Sequence, residues 1–256
     1  MGGEKMKLKN KVAIITASAG AGIGKATAWR LAKEGASVVI SDTHEKRIKE
    51  VTGVLQAEGH KAIGMVCDVS KWDQVQNMVK GTVEAFGRID ILVNNAAREI
   101  LSRIVDMTEE NWDLVMNVGL KGTFLCTKAV LPTMIGQGSG SIVNISSVAA
   151  YIGTPMGESS YCAAKAGVIA FTRVTAAENA QYGIRANCVA PGFVPNPFLE
   201  RIYSKEMLEA MAKMSPFGRG AKPEEMASIV AFLASEDASY LTGEVINASA
   251  GMYWRP

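Results

Sequence analysis

Tyr161 and Lys165 stand four residues apart, with Ser146 and Ser147 a short stretch upstream. On a helix, positions i and i+4 lie one above the other on the same face. An ammonium held there favours the phenolate and is expected to lower the Tyr161 pKa. A phenol near its ordinary value of about 10 exchanges protons poorly at neutral pH, and one brought toward the operating pH is a usable acid or base. A serine hydroxyl beside it adds a donor for a developing oxyanion. Alone the pair says little, because an ordinary helix also yields a half-buried Tyr and a surface Lys at this spacing.

The elements that must hold these residues alternate along the whole chain. Short apolar runs at 12–15, 37–41, 62–66, 89–93, 141–145, 184–189 and 244–247 read as strands. Amphipathic stretches at 23–34, 44–58, 72–86, 109–135 and 159–182 read as helices between them, with Gly35, Gly59, Gly87 and Gly183 as stop signals. The 109–135 helix is expected to bend or end near Pro132. The strand runs are nearly continuous in β-branched residues, as in parallel strands covered on both faces. Repeated βα units predict an α/β fold, a doubly wound parallel sheet with helices on both faces. After Pro191 the rhythm breaks. Segment 193–217 holds Pro195, Pro197 and Pro216 around a short amphipathic piece at 205–214, the composition of a mobile lid. Pro223 then opens a helix to residue 234. With no repeats or composition shifts, residues 1–256 read as one domain: a cofactor-binding core at 10–190 carrying the catalytic residues, a lid at 193–217, and a helix, strand and tail at 223–256.

Composition removes other classes. The 27 basic and 25 acidic residues nearly balance, which gives no basis for a nucleic-acid partner. No apolar run reaches the length of a membrane span, and the apolar run that follows the charged start at 1–11 is too short for a signal-peptide core. Cys67, Cys126, Cys162 and Cys188 are scattered, and with two histidines they make no metal cluster. Reduced thiols in a cytoplasmic protein are the reading.

Between the first strand and the first helix lies Thr16-Ala-Ser-Ala-Gly20-Ala-Gly22-Ile-Gly24. A glycine-rich turn there lets a pyrophosphate meet backbone N–H groups and the positive helix end. Asp42 ends the second strand, 18 residues beyond Gly24. A carboxylate there accepts hydrogen bonds from a ribose diol and repels a 2′-phosphate, so NAD(H) is favoured over NADP(H). Asp42 also suits a helix N-cap, and Lys46 and Arg47 are expected to face solvent.

With these motifs in order, the chain resembles the short-chain dehydrogenase/reductase family over almost all its length, in its 3-oxoacyl reductase-like branch. The resemblance implies a Rossmann-like fold. Asp68-Val69 looks like the adenine-contacting pair. Asn94-Asn95-Ala96-Ala97 looks like the N-N-A-G motif that shapes the cofactor pocket. Asn117 resembles the asparagine that kinks the long helix and holds a water beside the lysine, Ser147 the catalytic serine, and Tyr161 with Lys165 the Y-x-x-x-K pair. Pro191-Gly192 is similar to the turn under the nicotinamide, with Val194 and Asn196 following. Cofactor contacts are thus expected at Ser18, Gly20, Gly22, Ile23, Gly24, Asp42, Asp68, Val69, Asn95, Ala96, Ala97, Tyr161, Lys165, Pro191, Gly192, Val194 and Asn196.

Five departures from the family pattern stand out. The first loop is one residue longer than T-G-x-x-x-G-I-G, and Ala17 takes the place of its first glycine. Ala97 replaces the last glycine of N-N-A-G. Ser147 precedes Tyr161 by 14 residues, one more than usual. Asn196 stands where many members have a threonine that contacts the carboxamide, and its amide is expected to do the same. Asn247-Ala-Ser-Ala-Gly251 replaces the usual V-D-G-G.

The resemblance implies an oxidoreductase interconverting a secondary alcohol and a ketone. Tyr161 exchanges the proton, Ser147 polarises the oxygen, Lys165 binds the nicotinamide ribose, and Asn117 links Lys165 to solvent. The lid mixes Phe193, Phe198, Leu199, Ile202 and Tyr203 with Arg201 and Lys205, which suits a bulky apolar small molecule with a polar end: a ring ketone, a steroid-like alcohol or a 3-hydroxyacyl-CoA. Substrate contacts are expected from Arg98, Ile152, Phe193 and Phe198. The alternatives are a 3-oxoacyl-[acyl-carrier-protein] reductase using NADPH, and an inactive partner subunit or NAD(H)-sensing protein. Gln137 and Tyr182 stand where carrier-docking relatives are basic, which weighs against the first. The family commonly forms homotetramers, dimers of dimers, through the long helix and the Tyr161 helix.

Overall fold

The central strands of the sheet are covered from both sides, and that explains their unbroken apolar spelling. The computed structural model describes residues 6–254, so residues 1–5 and 255–256 of the expected domain lie outside the described residues. In chain order the main elements are β1 (Val12–Ile15), α1 (Ile23–Lys33), β2 (Ser37–Asp42), α2 (Glu45–Ala57), β3 (Ala62–Val66), α3 (Trp72–Phe86), β4 (Ile91–Asn94), α4 (Glu109–Met116), α5 (Gly122–Gln137), β5 (Gly140–Ile145), α6 (Ser159–Asn179), β6 (Ile184–Pro191), α7 (Lys205–Met214), α8 (Pro223–Ala234) and β7 (Val245–Ala248). The seven strands form one sheet in the order β3-β2-β1-β4-β5-β6-β7, and every pairing is parallel. This is the expected single-domain, doubly wound α/β fold.

Alternate residues of one strand serve opposite cores. Ala13 and Ile15 pack with Leu31, Ile48 and Val230 on one face, while Ile14 packs with Met78, Val130 and Met134 on the other. A third cluster joins Val168 and Ile169 of α6 to Cys188 and Ala190 of β6. Only β3, at the sheet edge, alternates between covered and open positions. The chain reverses its winding direction between β1 and β4, which are hydrogen-bonded neighbours. A ligand crevice opens at the carboxyl ends of strands at such a switch point.

Some boundaries differ from expectation. The strand read at 89–93 begins at Ile91, because the Gln137 side chain accepts from Ile89 N and donates to Ile89 O, taking that residue out of the ladder. The long helix runs through Pro132 to Gln137 and stops at Gly138, whose φ is 65°. Within it, Asn117–Lys121 forms a π turn, closed by the Gly122 N–H donating to Asn117 O five residues back. The resemblance placed the kink there, and the extra residue per turn is its physical form. By length and composition, the helix Glu109–Gln137 suffices to cross a membrane. It lies instead as a core helix, with Leu125, Cys126, Val130 and Met134 buried in the cluster beneath the sheet.

Candidate active site

The glycine loop is held at both ends before any ligand is considered. Thr16 is buried where β1 ends, and its hydroxyl accepts from Asn95 N (2.9 Å) and Ala96 N (3.0 Å) while donating to Val93 O (3.3 Å). Asn95 returns the contact, its Nδ2 donating to Thr16 O and Ala17 O, each at 3.1 Å. Sequence reasoning named Asn95 but missed Thr16, although the first residue of the loop was in plain view. Thr16→Val keeps the shape and leaves two buried N–H groups without their acceptor. It is expected to cost about 2–4 kcal/mol, read by urea denaturation.

The loop's backbone explains its altered spelling. Ala17 has φ 50°, so the residue standing where a glycine is common does adopt the left-handed conformation glycine favours. Gly22 caps α1 with φ 131°. A Cβ on Gly24 would sit 2.5 Å from both Ala17 O and Asn95 Nδ2, so the helix can approach the loop only because that atom is missing. The first turn of α1 contains no acidic residue, and its N–H groups face the crevice with their positive end unopposed.

Ser18 does not join this face. Its hydroxyl is buried, donating to Ile15 O (2.8 Å) and accepting from Ser41 N (3.1 Å), which pins the loop to β2. The Ser18 hydroxyl is thus used within the fold, and only its side chain is withdrawn from the expected cofactor contact. Asp42 accepts from Ala19 N (3.3 Å), Thr43 N (2.8 Å) and His44 N (3.3 Å), so the carboxylate, at the rim of the glycine loop, also shapes that loop. His44, not Asp42, occupies the N-cap position of α2. Arg47 is exposed as expected, yet its Nη1 comes within 3.7 Å of the place a Cβ on Gly20 would take. That brings a cation to the same rim.

Gly22, Ile23, Gly24, Asn95, Ala97, Ser147, Tyr161, Lys165, Pro191, Gly192, Val194 and Asn196 line one continuous crevice. Ala96 does not line it: its N–H donates to Thr16 Oγ1 and its side chain packs against the core. Asp68 accepts from Ser70 N and Ser70 Oγ in the turn after β3. Val69 is buried, and the nearest atom to a Cβ on Gly122 would be its Cγ2. Asn196 departs from expectation, since its Oδ1 accepts from Phe198 N and Leu199 N and its Nδ2 donates to Val194 O. The amide organises its own loop. Arg98 and Phe198, expected at the substrate, line the cofactor crevice instead.

At the far end of the crevice, β5 delivers the two serines with opposite assignments. Ser146 is buried and donates to Lys165 O (2.8 Å), while the Ser147 hydroxyl accepts from Ala149 N (3.1 Å) and stands beside the Tyr161 hydroxyl. Lys165 Nζ donates to Ile145 O (2.7 Å) and lies 5.5 Å from the Tyr161 ring centroid. Burial pushes the Lys165 ammonium down to about 8. Enclosure by protein, followed by the nearby Glu99 carboxylate, drives Tyr161 above its ordinary value, and only the Ser147 hydroxyl pulls noticeably the other way. The expected lowering of Tyr161 by Lys165 is thus corrected: desolvation and two acidic neighbours outweigh an ammonium that burial itself disfavours. Asn117 sits on the π turn beside α6, where Gly119 lies against Ala164 and Gly167 against Leu120.

A second cavity opens beyond Ser147 and Tyr161. Its wall is mainly apolar, from Ile152, Met156, Phe193, Leu199, Met211, Met214 and Met252, and its polar corner holds Glu99, Thr154, Glu158 and Tyr203. Ile152 and Phe193, both expected near the substrate, lie on this wall. The unusual 247–251 turn serves this wall. Asn247 Nδ2 donates to Tyr253 O (2.6 Å), Gly192 N donates to Ala248 O (3.2 Å), and Tyr253 stacks on Tyr151 with centroids 4.8 Å apart. A Cβ on Gly192 would meet Met252 Sδ at 2.7 Å. The acidic corner was missed as a unit, since its members come from three separated loops. Among the described residues no group of His, Cys, Asp or Glu could hold a metal ion.

The crevice fits a dinucleotide: a helix N-terminus free of acidic groups, a cradle a Cβ would fill at Gly24, and the Asp42 carboxylate against the glycine loop. Known proteins agree. Residues 17–253 match the family model described as "Enoyl-(Acyl carrier protein) reductase". The chain is 45% identical over 249 residues to the 3-oxoacyl-[acyl-carrier-protein] reductase FabG of Thermotoga maritima, covering 96% of this chain and 99% of that one. It is also 45% identical over 244 residues to the (5R,7aS)-5-hydroxy-7a-methyl-1-oxo-2,3,5,6,7,7a-hexahydro-1H-indene-carboxyl-CoA reductase of Mycobacterium tuberculosis, covering 94% and 93%. The crystal structure of a gluconate 5-dehydrogenase from Burkholderia cenocepacia J2315 in complex with NADP and tartrate superposes with a TM-score of 0.91 at 31% identity, covering 97% of each chain. This chain belongs to the short-chain dehydrogenase/reductase family of oxidoreductases.

Proposed function

We propose that the protein interconverts a secondary alcohol and a ketone on a bulky, mainly apolar small molecule. The observation that carries this reading is the placement of Tyr161 and Ser147 side by side at the junction of the crevice and the apolar cavity, both of which they line. When bound, a nicotinamide cofactor supplies or accepts the hydride. In reduction Tyr161 holds the proton for the carbonyl oxygen, and its raised pKa keeps that proton in place until the oxygen becomes basic. Ser147 donates to the same oxygen. Lys165 is oriented by Ile145 O toward the ribose side of the crevice, and Asn117, on the neighbouring π turn, holds the water that joins Lys165 to solvent.

The substrate class follows from the cavity. Methionine and aromatic walls favour a ring ketone, a steroid-like compound or a 3-hydroxyacyl-CoA, and the Mycobacterium relative's CoA-linked ring substrate supports the same choice. A second reading, reduction of a carrier-bound 3-oxoacyl chain with NADPH, has the Thermotoga relative in its favour. Against it, Gln137 is occupied with Ile89 and Tyr182 offers no charge for an acidic carrier. A partner subunit or NAD(H) sensor without activity remains the non-enzymatic reading, and the intact Ser147, Tyr161 and Lys165 set weighs against it. A screen of ring ketones, alcohols and 3-hydroxyacyl-CoAs with both cofactors decides. Turnover of ring or CoA substrates is expected, and cofactor binding without any turnover would overturn the reading.

For the cofactor we favour NAD(H), on the carboxylate of Asp42 at the rim. Arg47 beside Gly20, and the NADP bound in the Burkholderia structure, are the counterweights. NADH is expected to bind more tightly than NADPH, and Asp42→Ala to raise the Kd for NADH about tenfold or more by fluorescence titration. Tighter NADPH binding that Arg47→Ala removes would reverse the assignment. Exposed Trp112, Leu114, Phe124 and Val174 on the long helix and α6 support a homotetramer, a dimer of dimers, and the four free cysteines support a cytoplasmic location. Segment 193–217 is read as the lid of the apolar cavity.

A further inference from the structure

Segment 193–217 meets the body of the protein at one buried polar point. Tyr203 is 6% exposed, and its hydroxyl oxygen lies 2.6 Å from Glu99 Oε1 and 2.6 Å from Glu158 Oε1. Glu99 follows β4, Glu158 immediately precedes α6, and Tyr203 lies between β6 and α7. A phenol has one hydrogen and donates once. Two ionised carboxylates at hydrogen-bond distance from one phenol oxygen would leave one contact without a proton. The three groups therefore need one more: the phenol donates to one carboxylate, and the other, as a carboxylic acid, donates to the phenol oxygen. Thr154 decides which is which. Its hydroxyl donates to Glu158 Oε2, making Glu158 the better-served carboxylate. The extra proton then belongs on Glu99. Burial acts in the same sense, raising Glu99 to about 7, with Glu158 adding to the rise and Lys165 opposing it. The other titratable groups facing the trio are Tyr161 and Cys162, both raised and therefore neutral near pH 7.

We propose that Tyr203 is a positioning residue for the reaction: it fastens segment 193–217 over the cavity beside Tyr161 through a single proton shared with Glu99 and Glu158, and the fastening loosens when that proton is lost. Phe193, Leu199, Met211 and Met214 of the same segment form much of the cavity wall, so unfastening Tyr203 withdraws the surface that holds an apolar substrate. The sign follows directly. Below about pH 7 Glu99 keeps its proton and the wall is held; above it two carboxylates compete for one phenol hydrogen and repel each other.

The kinetic consequence rests on the alcohol–ketone reading above, and the proteolytic one does not. Wild type, Glu99→Gln and Tyr203→Phe are compared in KM and kcat between about pH 6 and about pH 9. In wild type KM is expected to rise at least about tenfold across that range, with kcat changing less. Glu99→Gln supplies a permanent N–H donor to the phenol oxygen and is expected to keep KM low and flat within about twofold. Tyr203→Phe should show a raised KM at every pH. Independently, limited trypsinolysis at Arg201 and Lys205, both exposed on this segment, is measured as the ratio of wild type to Glu99→Gln at each pH, which cancels trypsin's own pH response. That ratio is expected to grow about fivefold or more toward alkaline pH. A wild type and a Glu99→Gln variant with the same pH profile in KM and in proteolysis would overturn the proposal, as would a Tyr203→Phe variant with unchanged KM. If no substrate is turned over, the alcohol–ketone reading fails while the proteolysis ratio still decides the fastening.

Discussion

Tyr161→Phe is expected to lower turnover by about 10²- to 10⁴-fold while leaving the Kd for reduced cofactor within about threefold. Phenylalanine keeps the ring beside Lys165 and removes only the hydroxyl, which in the proposed reaction donates the proton. Because the cofactor crevice is built from β1, β4 and β6 as well as α6, its shape survives the change. Ser147→Ala should also lose turnover with binding retained, since the serine serves the same oxygen. A Tyr161→Phe enzyme within about tenfold of wild type would remove the tyrosine from the mechanism.

Gly24→Ala is expected to fail in a different way. Its methyl would stand 2.5 Å from Ala17 O and 2.5 Å from Asn95 Nδ2. Neither neighbour can yield cheaply. Ala17 O is main chain, and Asn95 Nδ2 is the donor that ties the loop to the end of β4. Relief requires moving α1 off the loop or breaking the Asn95 clamp, and either spoils the N–H array at the helix start. We expect a stability loss of about 2–4 kcal/mol in urea denaturation and a Kd for the preferred cofactor raised by about 30-fold or more. Gly20→Ala is the matched control. Its added methyl would meet nothing nearer than Arg47 Nη1 at 3.7 Å, so a change below about 0.5 kcal/mol is expected. Equal losses in the two variants would show that loop glycine content, not the close approach at Gly24, sets the effect.

Local spacing made the centre of the site legible. Tyr161 and Lys165 share a helix face whatever surrounds them, and Ser147 lies two residues beyond the strand that leads toward that helix. The sheet was equally readable, since its continuous apolar runs are what double coverage produces. What escaped was whatever depends on residues meeting across the sequence. Tyr161 was expected to be acidified by its helix neighbour, yet its environment is set by Glu99, 62 positions earlier, and by enclosure. Ser18 has a polar side chain in a cofactor loop, and nothing local says that Ile15 and Ser41 claim it. Asn196 was assigned outward because its amide can bind a ligand; the backbone of its own loop uses it first. Ala17 is the reverse case, where the fold imposes the left-handed conformation without the residue that advertises it.

The methionines of the second cavity have a consequence for selectivity. Met156, Met211, Met214 and Met252 supply unbranched, polarizable thioethers to a wall that in a more exacting pocket would be branched aliphatic. Such side chains change rotamer at little cost and fill whatever outline is presented to them. A wall of this kind conforms to its occupant. Discrimination then falls to the fixed points, Ser147 and Tyr161, while ring size and alkyl branching along the wall count for little. The kinetic signature is a plateau: a series of ketones differing only in the part that lies against the methionines should share nearly the same kcat/KM, and the steep losses should come when the surroundings of the reacting carbonyl itself are altered.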